Sequence, residues 1–293
     1  MSSISSEIQA LITLLDDPDG SIHNCVIERL EEIGEEVIKP LEKSWESTLS
    51  PPAQSRIEDI IRNIQHNTIR IDMQQWIDTG GENLLFGAYL LAKIQYPELE
   101  YEHLNMQIEA LRSQIWLELN DHLTALEKVK VINYFLFTIH KFSRSSRGMT
   151  MPQLFFINHV LDTHKGSPVI LGIIYAEIAS RLDLSIKGVN LPMNFVLCYH
   201  DPGYLDDPDG VMFYIHPYSN GDILGRNELE YFLTEQKIDM KPAYLKPCTH
   251  IDILIRLAEN LIYAYTSSKK EEKTAILKEM RDMLWERRSN QTW

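Results

Sequence analysis

The sequence has little of what covalent or membrane-based stabilisation requires. Only three cysteines occur among its 293 residues, Cys25, Cys198 and Cys248, and no CxxC motif or paired spacing joins them. An odd number of separate thiols argues against a disulfide framework and favours a reducing compartment. The longest apolar runs, such as residues 169–179, are too short to span a bilayer. We therefore expect a cytoplasmic protein with three buried thiols.

Positive charge is also scarce. The chain has 28 basic and 42 acidic residues, which gives a formal net charge of −14. Nucleic acids and anionic membranes both need a cationic surface that releases counterions. This balance predicts no nucleic-acid partner and no membrane partner, and it favours a basic protein or peptide. The N-terminal stretch lacks a basic region before an apolar core, so it is typical of a first helix rather than a signal peptide.

Signals for metal binding are missing as well. The ten histidines form no HxxxH or HExxH motif, and His159 and His164, five apart, would point to different faces of a helix. The sequence DDPDG occurs at 16–20 and 206–210 without the alternating ligands of a calcium loop. Turn chemistry explains both copies, because Asp, Pro and Gly all favour tight turns. We expect no metal and no cofactor.

The first 70 residues have helical periodicity. Apolar residues recur at Ile4, Ile8, Leu11, Ile12 and Leu15, which is the stripe of an amphipathic helix. Further helices are predicted over 21–33, around 37–45 and over 55–67. Residues 11–45 resemble a HEAT-type helical repeat, although one visible unit is fewer than solenoids need. The alternative is a helical cap without repeat ancestry. We assign 1–70 to this helical region.

The remaining chain predicts an α+β, predominantly helical fold. Helices are expected over 83–97, 101–119, 123–140 and 227–233, with a loop over 143–152. Ser167 is the predicted N-cap and Pro168 the first residue of an apolar helix that should be central and buried. Alternating segments at 185–191, 194–200 and 211–218 predict a small antiparallel sheet on that helix. We place this domain at 71–245 and a C-terminal helical hairpin at 246–293.

A buried helix whose N-terminus faces an antiparallel sheet is the scaffold of papain-like and transglutaminase-like enzymes. In them a cysteine at the helix N-terminus gains from the positive end of the helix dipole, which favours the thiolate. A histidine on a neighbouring strand takes the proton, and an acid on the next strand orients that histidine.

Four blocks of sequence resemble one branch of that superfamily, the SirB-type transglutaminase-like proteins. They are FLFTIHKF, VLDTHKGSPVILGIIYAEIASRLDL, GVNLPMNFVL and FYIHPYSNGDILGRNELEYFL, in the family's order and spacing. The resemblance covers about residues 83–235. The tail after His250 resembles shortened tetratricopeptide-like helices. The resemblance implies a transglutaminase-like core flanked by helical repeats.

Carried over position by position, the resemblance implies that the catalytic residues are absent. Ser167, Pro168 and Val169 occupy the start of the helix, where an active transglutaminase has cysteine. Asn194 stands where the family has histidine, and His216 where it has aspartate before proline. Asparagine cannot act as a general base, and without the cysteine there is no thiol at this place to activate.

Two functional hypotheses remain from the sequence. The first is a catalytically degenerate transglutaminase-like protein that acts as a protein or peptide interaction or regulatory module. The second is a hydrolase or acyltransferase with a non-standard nucleophile, Ser167 beside His216, or Cys198. By strand alternation Cys198 shares a face with Asn194 and Val196, so Cys198 and Tyr214 are candidate residues of the former cleft. The alternative for each candidate nucleophile is a purely structural role. Ser167 would then be a helix cap, and Cys198 a small core residue.

Overall fold

A computed structural model describes residues 2–15, 20–145 and 150–290 of the chain. The chain divides into two compact units, 1–72 and 73–293. The boundary falls within one long helix, α4 (Pro51–Asp78). None of the helices in the described ranges has the length and the apolar content needed to cross a bilayer.

The first unit is helical throughout its described residues. It contains α1 (Ser2–Leu14), α2 (Gly20–Ile33), a 3-10 turn (Gly34–Val37), α3 (Ile38–Ser47) and the first part of α4. The predicted stripe of the first helix is confirmed in part, because Ile8, Ile12 and Leu15 are buried while Ile4 is exposed. These buried residues pack with residues of the following helices, Val26, Leu30, Val37, Leu41, Ile57, Ile60 and Ile64.

Three expectations for this unit differ from the structure or lie outside it. The predicted turn at 16–20 lies outside the described residues except for Gly20. Cys25 is exposed, so the prediction of three buried thiols is wrong for it; in the second unit Cys198 is buried, as predicted, and Cys248 is half-buried. The helix predicted over 55–67 is α4, which starts earlier and continues to Asp78. No Gly or Pro interrupts residues 53–78, so only the Gly80–Gly81 pair ends the helix.

The second unit contains eight helices after α4 in its described residues. They are α5 (Leu84–Lys93), α6 (Tyr101–Trp116), α7 (Ala125–Asn133), α8 (Ile157–Thr163), α9 (Pro168–Ser180), α10 (Arg226–Glu235), α11 (His250–Ser267) and α12 (Glu271–Asn290). The last two form the predicted C-terminal pair and pack against each other. The helix predicted over 123–140 is α7 followed by a π-helical turn, Tyr134–Ile139.

The sheet has four antiparallel strands in the order β3-β4-β5-β6. They are β3 (Ile186–Val189), β4 (Val196–His200), β5 (Val211–His216) and β6 (Asp222–Leu224). The first three were predicted, and β6 was not. A separate parallel pair is formed by β1 (Ser143–Arg144), which lies where the sequence predicted a loop, and β2 (Lys165–Gly166), which directly precedes α9. Residues 146–149 of that loop lie outside the described ranges.

Helix α9 is buried around most of its circumference, as its apolar sequence predicts. Eleven of its thirteen residues are buried, and it contacts strands β3 and β4. The approach of β4 depends on Gly172, where a Cβ atom would lie 2.5 Å from Cε1 of Phe195. Real Cβ atoms do not come this close, so the ring of Phe195 occupies space that only glycine leaves open.

We expect Gly172→Ala to destabilise the second unit. Overpacking a close-packed core costs about 1–3 kcal/mol, and alanine's better helix propensity returns at most about 1 kcal/mol. Urea unfolding should therefore show a net loss of about 1–2 kcal/mol. Ser180→Ala, at an exposed site of the same helix, is the matched control and should change stability by less than about 0.5 kcal/mol.

A second-site change tests whether the ring is the cause. Phe195→Leu shortens the side chain that faces Gly172. The loss of stability caused by Phe195→Leu should therefore be much smaller in the Gly172→Ala background than in the wild type. Additive losses in the double variant would contradict this explanation.

Candidate functional site

The first site position, Ser167, caps helix α9. Its backbone is extended, and its hydroxyl oxygen accepts a hydrogen bond from the backbone N–H of Ile170 at 3.4 Å. Its own N–H donates to the carbonyl of Leu154 at 2.9 Å. The residue is completely buried, and Pro168 follows it at the first helical position. The predicted N-cap is thus confirmed, and the hydroxyl is committed to the end of the helix.

The second and third site positions lie together. The side-chain nitrogen of Asn194 is 2.8 Å from Nε2 of His216. The amide's other end is fixed, because its oxygen accepts from the backbone N–H of Phe195 at 2.8 Å. The Asn194 NH₂ group therefore donates to Nε2, which must be an acceptor, and the imidazole is the neutral tautomer with hydrogen on Nδ1.

The surroundings of His216 favour this neutral form. His216 is the last residue of β5 and pairs with Asp222 on β6. Burial lowers the pKa of His216 below its ordinary value, and the Asp222 carboxylate acts in the opposite direction without restoring it. A histidine that accepts from an amide and resists protonation is a poor general base for a neighbouring nucleophile.

A buried polar chain holds the turn that follows His216. The amide nitrogen of Asn133 donates to the carbonyl of Gly221 at 2.7 Å, and the Tyr175 hydroxyl donates to the Asn133 oxygen at 3.0 Å. Tyr175 is on α9 and Asn133 ends α7, so one asparagine connects two helices to the β5–β6 turn. Gly221 has φ +80°, and a Cβ atom there would lie 2.2 Å from the Asn133 oxygen. Only glycine suits this contact.

Sequence reasoning missed these three residues. A signal was present, because Asn220–Gly221 is a typical turn dipeptide and Tyr175 follows seven non-polar residues at the start of the helix. The partner of that tyrosine is 42 positions away in sequence. Such a pairing is invisible without the fold.

Cys198 and Tyr214, expected in the cleft, lie in the core instead. Both are buried in a cluster on one face of the sheet with Leu229, Leu233 and Leu245. The Tyr214 hydroxyl donates to the carbonyl of Leu245 at 3.0 Å. Burial raises the pKa of the Cys198 thiol to about 12. Alternation correctly places Cys198 with Val196, but this face is covered by α10 and the residues after it rather than open.

A hydrogen bond therefore joins Asn194 to His216, whereas Ser167 is not hydrogen-bonded to either of them. Within the described residues, the Ser167 hydroxyl forms no hydrogen bond to either side chain. In the same residues no group of three or more His, Cys, Asp or Glu side chains is placed to hold a metal ion. The second DDPDG segment is a turn, in which an Asp207 oxygen accepts from the backbone N–H groups of Asp209 and Val211.

The Asn194–His216 contact predicts a pH effect on stability. Since the pKa of His216 is lowered in the folded chain, the unfolded chain binds this proton first as pH falls below about 6.5. The free energy of unfolding should therefore decrease as pH falls through and below that value. His216→Gln keeps a neutral acceptor for Asn194 but does not titrate, so this part of the decrease should vanish.

The measurement is urea unfolding of both proteins between about pH 7.5 and about pH 5. Other titrating groups, including His140 and His200, contribute equally to the two curves. As pH falls, the free energy of unfolding of the wild type should decrease more than that of His216→Gln. Parallel curves over the whole range would contradict the lowered pKa.

Known proteins resemble this chain over much of its length. Residues 102–259, more than half of the chain, match the transglutaminase-like superfamily. A UPF0162 protein of Xylella fastidiosa is 25% identical over 198 residues, which are 66% of this chain and 68% of the relative. UPF0162 proteins of Pseudomonas aeruginosa and Buchnera aphidicola subsp. Baizongia pistaciae are 28% identical over 179 residues and 32% identical over 132 residues. The Pseudomonas match covers 60% of this chain and 63% of the relative. The Buchnera match covers 45% of each.

No solved structure matches. On the extent of the superfamily match, the chain belongs to the transglutaminase-like superfamily.

Proposed function

We propose that this protein is a SirB-type, catalytically degenerate transglutaminase-like protein that acts by binding a protein or peptide. The proposal rests on the hydrogen bonds made by the residues at the three expected catalytic positions. Ser167 is a buried helix cap, and Asn194 donates a hydrogen bond to a neutral His216. Each of these side chains is thus engaged in holding the fold at the place where a nucleophile and its base would act.

The chemistry of the alternatives supports the same proposal. A nucleophile needs a base within hydrogen-bond reach, about 2.6–3.2 Å, and access to substrate. Ser167 is fully buried and bonds to backbone. Cys198 is fully buried, and a pKa of about 12 leaves almost no thiolate near neutral pH. A hydrolase or acyltransferase built on either residue remains the second candidate, and it is the outcome that the experiment below would detect.

A binding role fits the rest of the chain. We propose that the helical first unit is HEAT-like, that the second unit has a papain-like core, and that α11 and α12 are a shortened tetratricopeptide-like pair. Layers of this kind present extended surfaces for recognition. The net charge of −14 supports a basic partner for the molecule as a whole, although it does not describe any single surface. Three free thiols support a reducing, cytoplasmic location.

Activity-based labelling tests the proposal. A fluorophosphonate probe reports reactive serines, and an iodoacetamide probe reports reactive thiols. Cys25 is exposed, so the wild-type chain supplies its own positive control for the thiol reagent. In a Cys25→Ser background the folded protein should label much more slowly than wild type, because Cys198 is buried, Cys248 is half-buried, and desolvation raises the pKa of both thiols. The fluorophosphonate should give no specific labelling.

Two variants identify a nucleophile if one exists. Labelling that disappears in Ser167→Ala, or in Cys198→Ala in the Cys25→Ser background, would overturn the proposal and establish the enzyme. Urea should expose the buried thiols and restore iodoacetamide labelling, which confirms that the reagent was active. Circular dichroism of each variant separates a lost nucleophile from a lost fold.

A further inference from the structure

Two neighbouring cavities form a groove on the second unit. The first has a volume of about 690 Å³ and is lined in part by Arg144, Leu154 and Lys165. The second has a volume of about 410 Å³ and is lined in part by Phe156, Lys270 and Lys273. Gln153 lines both cavities, so they adjoin at this exposed side chain. We call Arg144, Gln153, Lys165, Lys270 and Lys273 the basic groove.

The charge of the basic groove is opposite to that of the chain. Four of its five residues are basic, and no described residue lining either cavity is Asp or Glu. The chain as a whole has 42 acidic residues and a net charge of −14. A cavity surface free of carboxylates is therefore a local exception. Clefts lined by one sign of charge focus the electrostatic potential on a ligand of the opposite sign.

Two of these four cations have neutral hydrogen-bond partners within the protein. The ammonium of Lys165 donates to the hydroxyl of Ser143, and that of Lys273 donates to the side-chain oxygen of Gln95 at 2.5 Å. In the described part of the chain, Arg144, Lys165, Lys270 and Lys273 form no ion pair with a carboxylate. The fold therefore positions the charges of Lys165 and Lys273 without pairing them with a carboxylate.

The charged form of Lys273 is destabilised by burial, and an anionic ligand would offset this desolvation. Burial lowers the pKa of its ammonium, Glu272 acts in the opposite direction, and Lys270 lowers it further. The ammonium also lies 5.9 Å from the ring centroid of Tyr265, whose hydroxyl shares the Gln95 oxygen. An anion placed between the two lysines would stabilise both charged forms.

We propose that the basic groove binds an acidic peptide segment in an extended conformation. Each of the two adjoining cavities is lined by two basic side chains, with Leu154 in one lining and Phe156 in the other. An extended peptide advances about 3.3 Å per residue, so acidic residues several positions apart can contact basic side chains of both cavities. The combined space exceeds what a single phosphate or sulfate fills, and the net charge of the chain opposes a long polyanion such as nucleic acid.

This inference rests on the binding role proposed above and concerns one surface of the chain. It assigns an acidic segment to the basic groove, whereas the basic partner that the net charge favours belongs to surfaces outside this groove. The groove shares none of the three positions Ser167, Asn194 and His216. Loss of peptide binding and detection of a nucleophile are therefore separate results, obtained with different variants and different probes.

The test uses the full chain and fluorescein-labelled peptides in fluorescence anisotropy. The probes are hexaglutamate, hexalysine and hexaglutamine. Hexaglutamate should bind at about 0.05 M NaCl and weaken at least about tenfold at about 0.3 M, since salt screens these exposed charges. Hexaglutamine should not bind. Hexalysine tests the basic partner expected from the net charge, and any binding it shows should not depend on groove residues.

Charge reversal at two matched pairs of sites locates the binding. Lys165→Glu with Lys270→Glu should weaken hexaglutamate binding at least about tenfold. Lys39→Glu with Lys278→Glu changes the net charge equally, from −14 to −18, at exposed lysines outside the groove, and should weaken it less than about threefold. Should the first pair not fold, Lys165→Gln with Lys270→Gln gives the same test with a smaller effect.

Three outcomes would overturn the proposal. Hexaglutamate does not bind, or both charge-reversed pairs weaken it equally, or a hexathymidylate oligonucleotide binds more tightly than hexaglutamate and loses affinity in the groove variant. Displacement of hexaglutamate by inorganic phosphate at constant ionic strength would also count against it, because it would identify a small-anion site instead of a peptide groove.

Discussion

The burial of helix α9 is the constraint on which the rest of the second unit depends. An apolar helix enclosed on most sides has no water to satisfy its first N–H groups, so its N-terminus needs an internal cap. Ser167 supplies that cap. Among the polar side chains of this helix Tyr175 is fully buried, so its hydroxyl must find a partner in the core, and Asn133 provides it. Gly172 then leaves space for Phe195, which brings the sheet against the helix.

These requirements extend to Asn194 and His216, two of the candidate site positions. Phe195 lies between Asn194 and strand β4, and Asn194 accepts from its backbone while donating to His216. The turn after His216 is tied through Gly221 to Asn133 and so to α9. The chain thus has the transglutaminase-like domain, and within it Ser167, Asn194 and His216 bond to backbone groups or to one another.

Local signals explain what the sequence predicted correctly. Ser167–Pro168 before an apolar run defined the start of α9, and alternation located β3, β4 and β5. Long-range pairings explain what it missed. Strands β1 and β2 have two residues each and exist only because Ser143 and Lys165 become neighbours in the fold. Strand β6 has three residues, too few for a periodic pattern. The face of Cys198 followed from alternation, but whether that face was open depended on where α10 packed.

The direct test of the account is a double-mutant cycle between Asn194 and His216, read as the free energy of unfolding near pH 7.5. Asn194→Ala, His216→Ala and the double variant isolate the energy of the contact between the two side chains. If these positions serve the fold, the coupling energy should be about 0.5–1.5 kcal/mol in favour of the wild-type pair. A coupling energy of zero would mean that the hydrogen bond does not stabilise the fold. It would contradict the structural role of His216 and leave this residue available as a general base.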